Sequence, residues 1–206
     1  LFRSDREGIT GIKYISFMNI RVAHEKKGCA EKILPFLKDG ESIYNTLLVS
    51  KPGAGKTTCL RDCIRSLSNG KEGWEGMKIC VVDERSEIAA CHLGIPQNDM
   101  GIRTDVLSGC GKSEGMMLML RSMSPQIIAV DELGGKKDFQ AVEQAACSGV
   151  RILGTVHADT VEELWEKPYL KKWMKRGIFE RFILIRHNRS GERDFQVFNG
   201  KREQLC

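Results

Sequence analysis

No apolar run in this sequence approaches the roughly 18 residues that a bilayer-spanning helix requires. Any association with a membrane is therefore expected through a partner, a surface patch or a segment beyond this chain. Zinc-type spacing is missing too: eight cysteines and four histidines form no C-x-x-C pair and no Cys/His cluster. Cys59 and Cys63 stand one helical turn apart, where cysteine serves as a small buried apolar side chain. With no signal peptide, scattered cysteines point to a reducing cytoplasm. There is no internal repeat, no low-complexity segment and no strong charge of one sign. Thirty-two Lys and Arg against 27 Asp and Glu leave +5, a mild excess that selects neither polyanions nor membrane surfaces as partners. The chain opens at Leu1 rather than Met, as expected of a fragment or a trimmed chain.

What is present is enough for one full α/β domain: 206 residues, 41% hydrophobic and 29% charged. Residues 8–22, GITGIKYISFMNIRV, are β-branched and aromatic and read as one or two strands. The next apolar piece, CAEKILPFL, is a short helix or turn interrupted by Pro35. Residues 1–40 are thus expected to form a small β-rich lead-in, the remnant of a larger N-terminal region, and residues 41–206 the main domain. From residue 46 short apolar runs alternate with helical segments. The strands expected are TLLVS, MKICVVD, QIIAVDE and VRILGTVHA; the helices are about Lys56–Leu67, GMMLMLRSM ended by Ser124-Pro125, and DFQAVEQAACSG ended by Gly149. TVEELWEKPYLKKWMKR reads as a broken amphipathic helix, and RFILIRH and DFQVF flank a hairpin turn in NRSGER. Apolar strands without polar alternation, separated by helices, imply a mostly parallel sheet covered on both faces.

The chemistry concentrates at strand ends. After TLLVS comes Ser50-Lys51-Pro52-Gly53-Ala54-Gly55-Lys56-Thr57-Thr58, a phosphate-binding loop of the G-x-x-x-x-G-K-[ST] type with serine at the first glycine. Gly53 and Gly55 allow backbone N–H groups to face phosphate oxygens at the start of a helix. Lys56 is placed to reach the β- and γ-phosphates of ATP, and Thr57 to give its hydroxyl to Mg²⁺. The first glycine serves a tight exit from the strand, a role serine fills wherever its φ stays negative. QIIAVDE brings Asp131 and Glu132 to a strand's C-terminal end, where open α/β sheets place ligands. Asp131 would hold Mg²⁺ through its water shell, and Glu132 would polarise a water for attack on the γ-phosphate. CVVDERSEIA sets Asp83, Glu84 and Arg85 at another strand tip, facing a ligand or neighbouring subunit, or else forming a surface ion-pair cluster. GTVHA places His157 at a further strand end, as a γ-phosphate sensor or as a structural histidine; His24, His92 and His187 have no such setting. Arg103, Arg85 and Arg121 are candidates for an arginine acting in trans, a group worth roughly 10³–10⁵ in rate. The basic KKWMKRGIFERF reads as an amphipathic helix on the core, or as a nucleic-acid surface with Trp173 and Phe179 stacking on bases.

These motifs together resemble the secretion and pilus ATPases, a branch of the RecA-like P-loop NTPases. The strings VVDERSEIA, GIRTDVLSGCGKSEGMMLMLRSMSPQIIAVDELG and GTVHA, with the phosphate loop, closely resemble the stage III AA sporulation proteins of endospore-forming bacteria, from about residue 8 to residue 160. The resemblance implies a RecA-like ATPase in the mother-cell cytoplasm, held at the membrane through partners. It implies a homohexameric ring at the base of a channel between mother cell and forespore, with other stage III proteins and no nucleic acid as partners. On that pattern Lys56, Thr57, Asp131 and Glu132 take the phosphate, metal and catalytic roles, and Glu84 and His157 the acidic-box and histidine-box roles. The chain departs from the pattern at Asp131, where glycine is usual, and after Glu132, where Gly135, Lys136 and Lys137 replace an expected arginine.

Overall fold

The computed structural model describes residues 2–5, 8–12, 14–18, 25–188 and 192–206. Strands β1 (Phe2–Asp5) and β2 (Gly8–Ile12) form an antiparallel pair of their own. The strand expected over 8–22 is realised only in β2; residues 14–18 are irregular, and residues 13 and 19–22 lie outside the described residues. The short helix α1 (Leu34–Leu37) carries Pro35 in its first turn and leads into the two-residue strands β3 (Lys38–Asp39) and β4 (Ser42–Ile43). The boundary expected at residue 40 falls in the turn between these strands, and Ala30, Ile33, Leu34 and Leu37 already belong to the main core.

The main sheet has seven strands in the order β11-β10-β5-β9-β8-β6-β7. They are β5 (Thr46–Ser50), β6 (Ile79–Asp83), β7 (Thr104–Ser108), β8 (Ile127–Val130), β9 (Arg151–His157), β10 (Arg181–His187) and β11 (Arg193–Asn199). Every neighbouring pair is parallel except β10–β11, the expected C-terminal hairpin, whose turn at residues 189–191 lies outside the described residues. Strand β7 sits at the edge, partly buried along its length, between MKICVVD and GMMLMLRSM, where sequence alone suggests no strand. An edge strand lacks the continuous apolar run that reveals a central one.

Alternation along the central strands feeds two apolar layers. Leu47, Val49, Ile128 and Val130 face helices α3 (Lys112–Met123), α4 (Lys136–Cys147) and α5 (Pro168–Lys175), whereas Leu48, Ile127 and Ala129 face α1 and α2 (Lys56–Asn69). Helix α2 buries Cys59, Leu60, Cys63, Ile64 and Leu67, a helical stripe in which both cysteines do pack as apolar groups. Asp62, on the same helix, accepts the N–H groups of Gly28 (3.1 Å) and Ala30 (2.8 Å) and ties the incoming chain to it. The segment expected as a broken helix is a 3₁₀ turn, Glu162–Trp165, then α5, interrupted at Pro168. Trp173 and Phe179 are 0% and 1% exposed, and Trp173 stacks on Phe139. They are core residues, unable to stack on bases.

Candidate functional site

Because β5, β6, β8 and β9 are parallel, their C-terminal ends lie on one edge, and that edge gathers Ser50, Asp83, Asp131 and His157. Strand β9 lies between β5 and β8, with Ser50 opposite His157 and Val130 opposite Gly154. The phosphate loop and the Asp131-Glu132 pair therefore approach the histidine from opposite sides.

The loop leaves β5 at Ser50, which is still strand and 1% exposed. Left-handed backbone is confined to Gly53 (φ +78°) and Gly55 (φ +87°), so the serine meets no conformational penalty. Its hydroxyl donates to the Lys51 carbonyl at 2.7 Å. Gly55 is the N-cap of α2, and the helix start brings unsatisfied N–H groups and a positive dipole end to the loop. Lys56 is 5% exposed, with Nζ donating to Ser50 O (3.3 Å), Ser50 Oγ (3.2 Å) and Lys51 O (3.3 Å). Burial lowers the lysine pKa from its ordinary value, against the opposing pull of Asp131 and Glu132.

Lys56 Nζ also lies 2.9 Å from His157 Nδ1, and His157 Nε2 lies 2.9 Å from Glu132 Oε1. An ammonium group only donates, so Nδ1 accepts and the ring proton sits on Nε2, given to Glu132. Glu132 is held further by Arg85 at 3.1 Å. The His157 hydrogen bond, then the Arg85 charge, keep its carboxylate pKa below the ordinary value. Its backbone is left-handed, φ +52°, a costly conformation for a residue with a side chain, and its N–H is pinned to Asp131 Oδ1 (3.1 Å) and Thr155 Oγ1 (2.9 Å). Thr57 Oγ1 donates to Asp131 Oδ2 at 2.7 Å, and the Thr155 hydroxyl donates to Asp131 Oδ1. Among the described residues no three His, Cys, Asp or Glu side chains form a metal cage. A hydroxyl beside one carboxylate is instead a donor set of hard oxygens, which fits Mg²⁺ completed by water and substrate phosphate.

At the β6 tip the three charges diverge. Asp83 is 2% exposed and turns inward to accept N–H groups from Glu87, Ile88 and Ala89, fixing the following loop. Glu84 pairs with Lys112 at 3.1 Å, and Glu84, Arg85, Lys112, Asp131 and Glu132 line one small pocket. Arg103 lies at the opposite end of the sheet, where it donates to Ser68 O, and Arg121 is exposed on α3. Lys136 and Lys137 are exposed at the start of α4. Of the three arginine candidates, Arg85 alone shares the pocket of Glu132 within its own chain. His92 and His187 take no part in these contacts, and His24 lies outside the described residues. Sequence reasoning passed over Thr155, Lys112 and Lys167, which donates to the His157 carbonyl. Thr155 was legible in principle: two residues before His157 on a strand, it shares that side chain's face.

A cleft of about 700 Å³ opens between Lys51–Ala54 of the loop and Leu184–His187 at the end of β10. Small-molecule sites span about 300–1,000 Å³.

This sheet order and loop define the RecA-like fold of the secretion and pilus ATPases. The chain superposes on the ATPase DotB of Legionella pneumophila with a TM-score of 0.62 at 16% identity, covering 85% of this chain and 51% of that one. The pilus retraction motor PilT with bound ADP gives 0.60 at 17% identity, covering 85% and 53%. Identity this low speaks for the fold alone. The family follows from sequence: the profile described as "Sporulation stage III, protein AA" matches residues 3–205, and the chain belongs to that family. The stage III sporulation protein AA of Bacillus subtilis (strain 168) is 42% identical over 180 residues, 87% of this chain and 58% of that protein. The chain thus spans little more than half the length of these relatives.

Proposed function

We propose that this chain is the catalytic portion of a Mg²⁺-dependent ATPase that works as a homo-oligomer, a hexameric ring, and powers or gates a channel between mother cell and forespore. The observation that carries the reading is the hydrogen-bonded series Lys56–His157–Glu132, set beside the Thr57–Asp131 pair. Loop N–H groups and Lys56 would hold the β- and γ-phosphates. Thr57 and Asp131 would hold Mg²⁺, which neutralises phosphate charge when bound. Glu132, ionised and fixed by its backbone contacts, would orient the attacking water. His157, touching both Lys56 and Glu132, would register whether a γ-phosphate stands between them. The other stage III proteins at the membrane are the partners this role requires, with the ring on the mother-cell side.

A second reading, a nucleotide-binding scaffold with little turnover, is favoured by one observation: both Glu132 oxygens are engaged, by His157 and Arg85. The burial of Trp173 and Phe179 removes the support for a nucleic-acid-associated ATPase. Equilibrium binding and phosphate release separate the first two. Lys56→Ala is expected to lower Mg·ATP affinity at least about 100-fold, through loss of a charge-assisted contact and loop order. Glu132→Gln is expected to bind as the parent does and lose about 10²–10⁴ in turnover. A Glu132→Gln chain hydrolysing at the parental rate would remove the role given to that carboxylate, and a parent that binds without turnover would favour the scaffold.

A further inference from the structure

Among the described arginines, Arg193, the first residue of β11, is set apart by a buried guanidinium nitrogen that lacks a partner. Arg65 pairs with Asp62, Arg151 with Asp39 and Glu180, Arg176 with Glu143. Arg193 Nη1 is buried and has no hydrogen-bond partner among the described residues. A desolvated guanidinium nitrogen without an acceptor is costly, and such a group calls for an explanation. Its position offers one. The guanidinium lies flat against Gly55: a Cβ added there would stand 2.5 Å from Nη2, 2.8 Å from Nε and 2.9 Å from Cζ. Only a glycine at the α2 N-cap lets the group come so near the phosphate loop. The thiols of Cys29 and Cys59 lie near enough to feel its charge, and neither neutralises it, since both are held protonated above the ordinary thiol value.

Strand order fixes which flank this is. In β11-β10-β5-β9-β8 the loop follows β5, His157 and Glu132 stand on the β9–β8 side, and Arg193 stands on the β10–β11 side. Lys56 leans toward His157. A triphosphate lying in the loop with its γ end at Glu132 directs its ribose end to the hairpin. We infer that Arg193 binds the nucleotide in cis, as the cationic contact for the phosphate nearest the ribose. This inference rests on the reading of the loop as a nucleotide site and adds a residue that the loop motif does not contain. It also gives Gly55 a second role, since a side chain there would displace the arginine.

The test is binding of Mg·ATP and Mg·ADP to the parent, Arg193→Met and Arg193→Lys, with the thermal midpoint of each nucleotide-free chain. Loss of a charge-assisted hydrogen bond is expected to weaken both nucleotides about tenfold in Arg193→Met. Arg193→Lys, which keeps charge without the planar fork, is expected to fall between. The nucleotide-free midpoint of Arg193→Met is expected to hold or rise, because an unpaired buried donor has been removed. Parental affinity in Arg193→Met overturns the inference while leaving the loop reading intact. Midpoints that collapse in both variants also overturn it, since the arginine is then a structural strut. A parent that binds neither nucleotide overturns the loop reading itself.

Discussion

At the scale of single residues the site is wired by groups with two simultaneous partners. Thr155 gives its hydroxyl proton to Asp131 and accepts the Glu132 N–H, so one buried side chain orients both carboxylate residues. Lys56 has the reverse problem: it is charged, buried, and surrounded by oxygens and an imidazole nitrogen. Burial lowers its pKa, so the folded chain releases this proton at lower pH than the unfolded chain does. Between the two values the unfolded state binds more protons, and this residue's contribution to stability rises with pH. Nucleotide binding has the opposite sign, because phosphate requires the ammonium. ATP affinity is therefore expected to decline on the alkaline side at a pH below 10.5, the ordinary lysine value. Titration calorimetry against pH would show it, and an unchanged affinity up to that pH would contradict the placement of Lys56 at the phosphates. Much at this scale was legible in sequence, since Lys56, Thr57, Asp131, Glu132 and His157 all announce themselves by motif. Thr155 could be read only by counting back two residues from His157 along the strand, and Arg193 not at all, since an arginine in a hairpin is an ordinary residue until its neighbours are known.

At the scale of elements, central strands were readable and marginal ones were not. The strands β5, β6, β8 and β9 are apolar along nearly their whole length because both faces are covered. The edge strand β7 shows no such signature, and α3 begins at Lys112, three residues before the GMMLMLRSM segment that suggested it. Position 40 was expected as the end of a β-rich lead-in, yet the core runs across it. The chain from Gly28 is fastened to α2 by Asp62. Asp62→Ala leaves two N–H groups without acceptors and frees Arg65, at an expected cost of about 2–3 kcal/mol in chemical denaturation. The same change should speed tryptic cleavage at Lys26 and Lys27. Parental stability and cleavage together would show that the apolar contacts of Ala30, Ile33 and Leu34 hold the segment unaided.

At the scale of the molecule, the described arginine candidates divide into one within reach of Glu132 and two far from it. Arg85 is engaged in cis, while Arg103 and Arg121 lie away from the site of their own chain, as a group serving a neighbour must. If the ring reading holds, phosphate release per chain is expected to climb steeply with protein concentration, because each site is completed by another copy. Turnover independent of concentration would place the whole site in one chain. Assembly was beyond what motifs could disclose, since an interface is written in surface shape rather than in residue spacing.

Strand β9 carries a mechanical consequence. Its end holds His157, whose ring touches a residue following β5 on one side and a residue following β8 on the other, and both neighbouring ladders are parallel and in register. Shifting β9 by a single residue, about 3.3 Å, would turn its side chains to the opposite face and break both ring contacts at once. The sheet is therefore a fixed frame, the anvil and not the hammer. On the proposed reading of the site, motion driven by a nucleotide would run through the loops beyond the strand tips, at residues 84–89, 133–135 and 158–167, while the strands beneath stay still.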